Sequence, residues 1–251
     1  MRAFMLAVLL AATVPLPAAA ADIKVLSAGA FKQVLLATLP AFEQASGHKV
    51  ALDNDTVGAL VKRIDGGEAF DVAILNPAAI DKLTKDGKLA PGAVALAKVG
   101  VGVVVKEGAP RPDISTVAAF KQALIDAKSI AYIDPAAGGS SGIYVAGLLD
   151  RLSLADAVKG KAKLVKGGAV ADHVVAGEAE IGIHQISEIL PVKGAVLVGP
   201  LPAEIQNYTV YAAGVGAAAH DAGAAKALID FLSGPAATPV LEAKGMEPAT
   251  R

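Results

Sequence analysis

The 251-residue chain has no cysteine and no tryptophan. Without cysteine there can be no disulfide, no thiolate nucleophile and no Cys-ligated zinc, so the packed core alone must hold the fold. Without tryptophan, and with only 4 Tyr and 6 Phe, a platform for stacking nucleobases or sugar rings is not expected, because such surfaces use several exposed rings. Charge of one sign is also lacking. A formal net charge of −1 gives no global field toward nucleic acid or an acidic membrane. The histidines, His48, His173, His184 and His220, are scattered without the spacing of metal ligands, so neither a metal nor another cofactor is expected. The loop Gly138-Gly139-Ser140-Ser141-Gly142 is not read as a hydrolase nucleophile elbow, because it is taken to lack the central serine placement of Gly-x-Ser-x-Gly. The stretch Lys159-Gly160-Lys161-Ala162-Lys163 reads as a solvated turn and strand edge rather than a nucleic-acid site.

What is present begins with an address. Arg2 is followed by the apolar run Ala3–Ala12, then Pro15-Leu16-Pro17 and the alanines Ala18–Ala21. A charged start, a short apolar segment and an Ala-x-Ala site together make a secretory leader over residues 1–21. The run is shorter than the roughly 20 residues a spanning helix needs, and no cysteine follows it to take a lipid. A periplasmic location after cleavage is therefore expected. Hydrophobic residues make up 54% of the composition, enough for a large core in what remains.

Beyond the leader, short β-rich runs alternate with helical patterns. Strands are expected at Ile23–Ser27, His48–Leu52, Asp71–Leu75, Val99–Val105, Ile130–Ile133, Lys163–Val165, Ala179–Gln185, Ala195–Val198 and Tyr208–Val215. Helices are expected over 30–45, 56–64, 143–149, 170–176 and 222–232, with another capped by Ser115 and running to about Ala127. Buried apolar strands separated by helices predict parallel βαβ units, arranged as two α/β lobes with a cleft between them.

Several segments resemble bacterial extracellular solute-binding proteins, and within them the molybdate-binding branch. They are Gly47–Val50, Ile64-Asp65-Gly66-Gly67-Glu68-Ala69-Phe70-Asp71-Val72-Ala73-Ile74, Gly177–Ile183 and Lys226–Ser233. The resemblance implies a type II periplasmic binding-protein fold with two hinge crossings. By analogy, lobe one would be residues 22–102 plus 207–251 and lobe two 103–206. It also implies a monomer that closes on a small anionic ligand and delivers it to an inner-membrane permease of an ABC-type transporter.

Ligands of open α/β sheets sit beyond the carboxyl ends of strands, beside helix N-termini that favour anions. Four loops qualify. The first holds Ser27, Gly29, Ala30 and Lys32. The second runs Asp53–Gly58, where Thr56 can donate to a ligand or simply cap a helix, with Arg63 further along. The third is the Gly/Ser loop with Ser140, Ser141 and Gly142, a candidate oxyanion nest. The fourth holds His184, Gln185, Ser187 and Glu188, where His184 can equally be a core histidine. Against the molybdate pattern, Ala30, Thr56-Val57 and Gln185 stand where hydroxyl groups are expected. Fewer neutral donors, with Lys32, Arg63 and His184 nearby, suit an organic carboxylate better than molybdate. A related subgroup includes an exported aconitate isomerase, which Lys128–Tyr132 and Gln185–Pro191 resemble. That resemblance implies a base that moves a proton along an allylic system, for which His184 and Glu188 are the candidates. Binding and isomerisation both remain open at this level.

Overall fold

A computed structural model describes residues 20–249; the expected leader lies outside the described residues as far as Ala19. The chain starts β1 (Asp22–Ala28), a 3-10 turn (Gly29–Phe31), α1 (Lys32–Ser46), β2 (Lys49–Asp55), α2 (Val57–Asp65), β3 (Val72–Leu75) and α3 (Pro77–Lys85). The long β4 (Val94–Lys106) then leads into α4 (Val117–Asp126), β5 (Ile130–Ile133), a 3-10 turn (Pro135–Ala137), α5 (Ser140–Arg151), α6 (Ala155–Lys159), β6 (Ala162–Val165), α7 (Val170–Val175), β7 (Ile181–Gln185), α8 (Ile186–Ile189) and β8 (Ala195–Pro200). The chain returns through β9 (Tyr208–Val215), α9 (Ala222–Ser233), α10 (Thr238–Ala243) and the short β10 (Glu247–Pro248).

Side-chain caps set several helix starts. Thr56 accepts the Ala59 N–H, Asn76 that of Ala79 and Asp221 that of Ala224, each satisfying a donor that the helix itself leaves free. The helix expected to start at Ser115 is instead capped by Thr116, whose side chain accepts from Ala119. The Ser115 N–H is taken by Asp113. The sequence reading omitted α3 altogether, although Asn76-Pro77 is a cap followed by proline at the first helical position, an arrangement that starts helices.

The strand order is β2-β1-β3-β9-β4-β7-β5-β6, with β8 and β10 also on β4. β1 pairs in parallel with β2 and β3, and β5 with β6 and β7, as the βαβ pattern predicts. β4 and β9 run antiparallel to their neighbours and connect the two halves. Up to Gly100, β4 pairs with β9; from Val101 onward it pairs with β7 and β8. At this switch the Gln206 side chain acts like a short piece of strand. Its amide donates to the Val101 carbonyl at 3.0 Å and accepts the Val101 N–H at 2.9 Å.

Each lobe has its own core. In lobe one, Leu26, Phe31, Leu60, Ile74 and Leu228 pack around β1 and β3. In lobe two, Val103, Phe120, Leu148 and Ile183 fill one face of the sheet, and Val104, Ala131, Val170 and Val174 the other. Burial on both faces explains why these strands read as unbroken apolar runs.

Candidate functional site

Between the lobes lies a cavity of about 100 Å³, well below the several hundred that drug-sized ligands occupy. Lobe one contributes Ala28, Gly29, Ala30, Asn54, Asp55, Thr56, Val57 and Tyr211 to its wall. Lobe two contributes Ile133, Gly139, Ser140, Ser141, Gly168, His184, Gln185 and Glu188. The β1 and β2 ends and the starts of α2 and α5 therefore converge here, as the switch-point argument requires. The first residues of α5 bring N–H groups that the helix cannot pair internally, with the positive end of its dipole.

The floor is built by β7 and α8. Register on β4 places His184 opposite Gly102 and Gln185 opposite Val101. The chain then turns at once into α8, which sets Glu188 one turn beyond His184. His184 Nε2 and Glu188 Oε2 lie 3.2 Å apart. His184 is 1% exposed, whereas Glu188 keeps about a fifth (19%) of its side chain open to the cleft. Gly29 lies so close to the Glu188 carboxyl that a Cβ there would stand 2.7 Å from Oε1, so the carboxyl of one lobe rests on backbone of the other. The second nitrogen of His184, Nδ1, has no hydrogen-bond partner among the described residues.

Burial controls the charges of this pair. It pushes the Glu188 carboxyl up to about 8, with Lys32 pulling partly the other way. It pushes the His184 imidazole down to about 3. Removing an ion from water disfavours its charged form in each case. The result at neutral pH favours an uncharged pair, a protonated carboxyl facing a neutral imidazole. Tyr211 stands beside them, its phenol pushed well above its ordinary value by burial and by Glu188. The Tyr211 hydroxyl donates to Gln185 Oε1 at 2.8 Å, and the Gln185 amide donates to Thr209 Oγ1 at 3.1 Å.

These shifts have a consequence for stability. As pH rises above about 4.5, the unfolded chain releases the Glu188 proton first, and folding weakens until about 8, by at most one proton or about 1.4 kcal/mol per pH unit. His184 acts in the opposite sense: as pH falls from 6.5 to about 3, the unfolded chain takes up the proton first. The ligand-free protein is therefore expected to be most stable between about 4.5 and 6.5. Melting temperatures across a pH series should decline above that window in the wild type and less in Glu188→Gln. A wild-type melting temperature that kept rising to pH 8 would contradict the buried neutral pair.

The other expected residues divide into two groups. Gly29, Ala30, Thr56, Ser140, Ser141, His184, Gln185 and Glu188 meet in the cleft. Ser27, Arg63, Gly142 and Ser187 do not line it. Ser27 is fully buried, its hydroxyl donating to the Ala28 carbonyl. Arg63 is held in an ion-pair network with Asp53 and Glu68, and Glu68 also takes Lys24. Gly142 is buried in the first turn of α5 against Ile133, and Ser187 is 1% exposed, its hydroxyl without a partner among the described residues. Lys32 is half-buried in the first turn of α1, outside the lining but near enough to act on Glu188. The Gly/Ser loop does satisfy Gly-x-Ser-x-Gly spacing about Ser140, contrary to the sequence reading. The Ser140 hydroxyl nevertheless meets Asn76 and Tyr211 rather than a histidine, so a hydrolase triad is not formed. Tyr211 was not foreseen as a site residue, because it sits inside an apolar strand.

A family model described as bacterial extracellular solute-binding protein matches residues 23–247. An aconitate isomerase of a Pseudomonas species is 34% identical, the match covering 97% of this chain and 95% of that one. The molybdate-binding protein of Azotobacter vinelandii is 29% identical over 91% of this chain and 90% of that one. Among solved structures, the periplasmic molybdate-binding protein of Azotobacter vinelandii superposes with a TM-score of 0.73 at 20% identity, covering 91% of this chain and all (100%) of that one. The sulfate-binding protein of Mycobacterium tuberculosis superposes with 0.76 at 18% identity, covering 91% and 87%.

Proposed function

We propose, for a chain that belongs to the bacterial extracellular solute-binding proteins, that the cleft closes on a small organic carboxylate and that Glu188 moves a proton along it, interconverting cis- and trans-aconitate or a close relative. The observation that carries this reading is the contact of Glu188 with the enclosed His184 at the floor of the cavity, 3.2 Å from carboxyl to ring, where burial raises the carboxyl toward neutral pH and keeps the ring uncharged. A fixed carboxylate would repel an anionic ligand. A carboxyl poised near neutral pH can instead donate to it or accept a proton from it, as general acid–base catalysis requires. The 34% identical isomerase supports the same assignment.

The step conserves atoms and charge. From its ionised form, a minority near neutral pH because burial raises the carboxyl to about 8, Glu188 takes a proton from the methylene carbon, and the electron pair spreads over the allylic carbons and their carboxylate groups. The carboxyl then returns the proton to the far allylic carbon, and the double bond moves to the other side. The conformation in which the cleft holds the methylene arm sets whether that bond is cis or trans. The first N–H groups of α5 favour the negative charge that develops, and Lys32 acts on it from outside the lining, as it does on Glu188. His184, uncharged and fully enclosed, fixes the orientation of the Glu188 carboxyl.

The second reading is delivery of the bound anion to an inner-membrane permease of an ABC-type transporter, the protein acting as a periplasmic monomer after loss of residues 1–21. The family match and the molybdate-binding relative favour it. One experiment separates the two. The purified protein is titrated with molybdate, sulfate, citrate and trans-aconitate, and the ultraviolet absorbance of aconitate is followed with time. Conversion of trans- to cis-aconitate is the expected result. Tight binding of an inorganic oxyanion, with no response to any carboxylate, would overturn the reading.

A further inference from the structure

The rim of the cavity is closed by direct contact between the lobes. Besides capping α2, the Thr56 hydroxyl donates to the Ala137 carbonyl. The Gly58 N–H donates to the Gly138 carbonyl at 3.1 Å. Asn76 adds a third link, its amide donating to Ser140 Oγ at 3.2 Å. Donors all come from lobe one and acceptors from the loop that opens α5 in lobe two.

Where α2 meets that loop, backbone touches backbone. A Cβ built on Gly58 would stand 2.8 Å from Gly138 Cα, and one on Gly138 would stand 2.6 Å from Gly58 Cα. Carbon atoms in ordinary contact are about 3.5–4.0 Å apart, so neither position has room for a methyl group in the closed arrangement. The two glycines differ in what else they do. Gly138 has φ +74°, a left-handed conformation that suits glycine whatever its neighbours. Gly58 has no such requirement: it is the second residue of α2, and alanine is the better helix former, by up to about 1 kcal/mol in a helix interior and less in the first turn. Glycine at position 58 therefore costs the helix stability, and what it admits is the opposite lobe.

We propose that the Gly58–Gly138 contact is the stop that sets how far the lobes close, making Gly58 a specificity-determining residue for the size of anion the cleft can seal around. With glycine on both sides the lobes meet main chain to main chain and leave the small chamber described above. A methyl group at position 58 props the rim open, parts the Gly58–Gly138 and Thr56–Ala137 hydrogen bonds, and admits water and bulkier ligands. The assignment of ligand size rests on the reading that the cleft is the ligand site; the mechanical stop does not.

Gly58→Ala tests it with an unusual combination of signs. Melting of the ligand-free protein should stay unchanged or rise, because the helix improves. Affinity for trans-aconitate should fall about tenfold or more. The preference for trans-aconitate over the bulkier trimesate should shift by a similar factor toward trimesate. The chain has no cysteine of its own, so spin labels at Lys62→Cys in lobe one and Lys159→Cys in lobe two report the interlobe distance directly. The shortest distance populated by wild type, with or without ligand, should be missing in Gly58→Ala. Wild-type affinity and an unchanged short distance in a well-folded Gly58→Ala would overturn the stop. If the wild type binds none of the carboxylates, the ligand reading fails, and the label distances still decide the stop.

Discussion

Glu188→Gln is expected to lower interconversion of cis- and trans-aconitate by roughly 10²–10⁴-fold, the range over which a positioned acid–base group contributes, while binding stays within about tenfold. The replacement keeps the shape of the side chain and a donor toward His184, so the floor of the cavity remains in place. It removes the one thing an amide cannot do, which is to take and return a proton. The loss should therefore fall on kcat, with KM little changed, because an interaction made only in the transition state has been removed. His184→Gln should act differently. His184 holds Glu188 from behind, and its loss should displace the pH–rate profile rather than abolish turnover. Steady-state rates from pH 5 to 9 for both variants make the check. Full activity in Glu188→Gln would remove Glu188 from the chemistry.

The second large effect belongs to a residue the sequence suggested for ligand binding. Gly142 does not reach the cavity. It lies in the first turn of α5, where that helix crosses the end of β5, and a Cβ there would run into the Ile133 carbonyl oxygen and stand 2.9 Å from its carbon. Main-chain atoms at the end of a central strand cannot yield as a flexible side chain can. Gly142→Val is therefore expected to cost about 3 kcal/mol or more, at or beyond the upper end for overpacking, and to reduce the yield of folded protein. Gly160→Ala provides the comparison, since nothing lies within 4 Å of the added methyl. Urea denaturation midpoints of the two variants measure the difference. A Gly142→Val midpoint equal to that of Gly160→Ala would show that α5 can lift away from β5 at little cost.

Gly142 also shows where sequence reasoning reaches and where it stops. The strand Ile130–Ile133 was legible to the residue because continuous burial leaves an apolar run bounded by polar turns, and Tyr208–Val215 because its β-branched and aromatic residues suit a strand. The loops around the cleft were legible because a βα junction with small residues has few other uses. Within those loops, periodicity does not say which atoms face the ligand. Thr56 caps α2 at the rim, while Arg63, in the last turn of the same helix, points to Asp53 and Glu68. Tyr211 was missed for a related reason. Alternation along β9 separates two faces, but only the pairing of β9 with β4 and β3 shows that one of them closes the cavity. The pairing of His184 with Glu188, four residues apart across a strand-to-helix turn, was within reach as two separate candidates. Their mutual burial, which tunes both, came from the packing.

The Gln206 strap on Val101 bears on how quickly this molecule can respond to its ligand. At most bends in a sheet, rotating one half against the other would leave peptide groups without partners, a cost of about 1–3 kcal/mol for each one kept from water. Here the Val101 N–H is met by a side-chain amide on its own rotatable stem, which shares the Val101 carbonyl with the Leu201 N–H of the same side of the bend. It can follow the strand through a change of angle with both hydrogen bonds intact. The pivot then adds little friction, and the time between capture and release is governed at the rim, by the few contacts that part when the lobes separate.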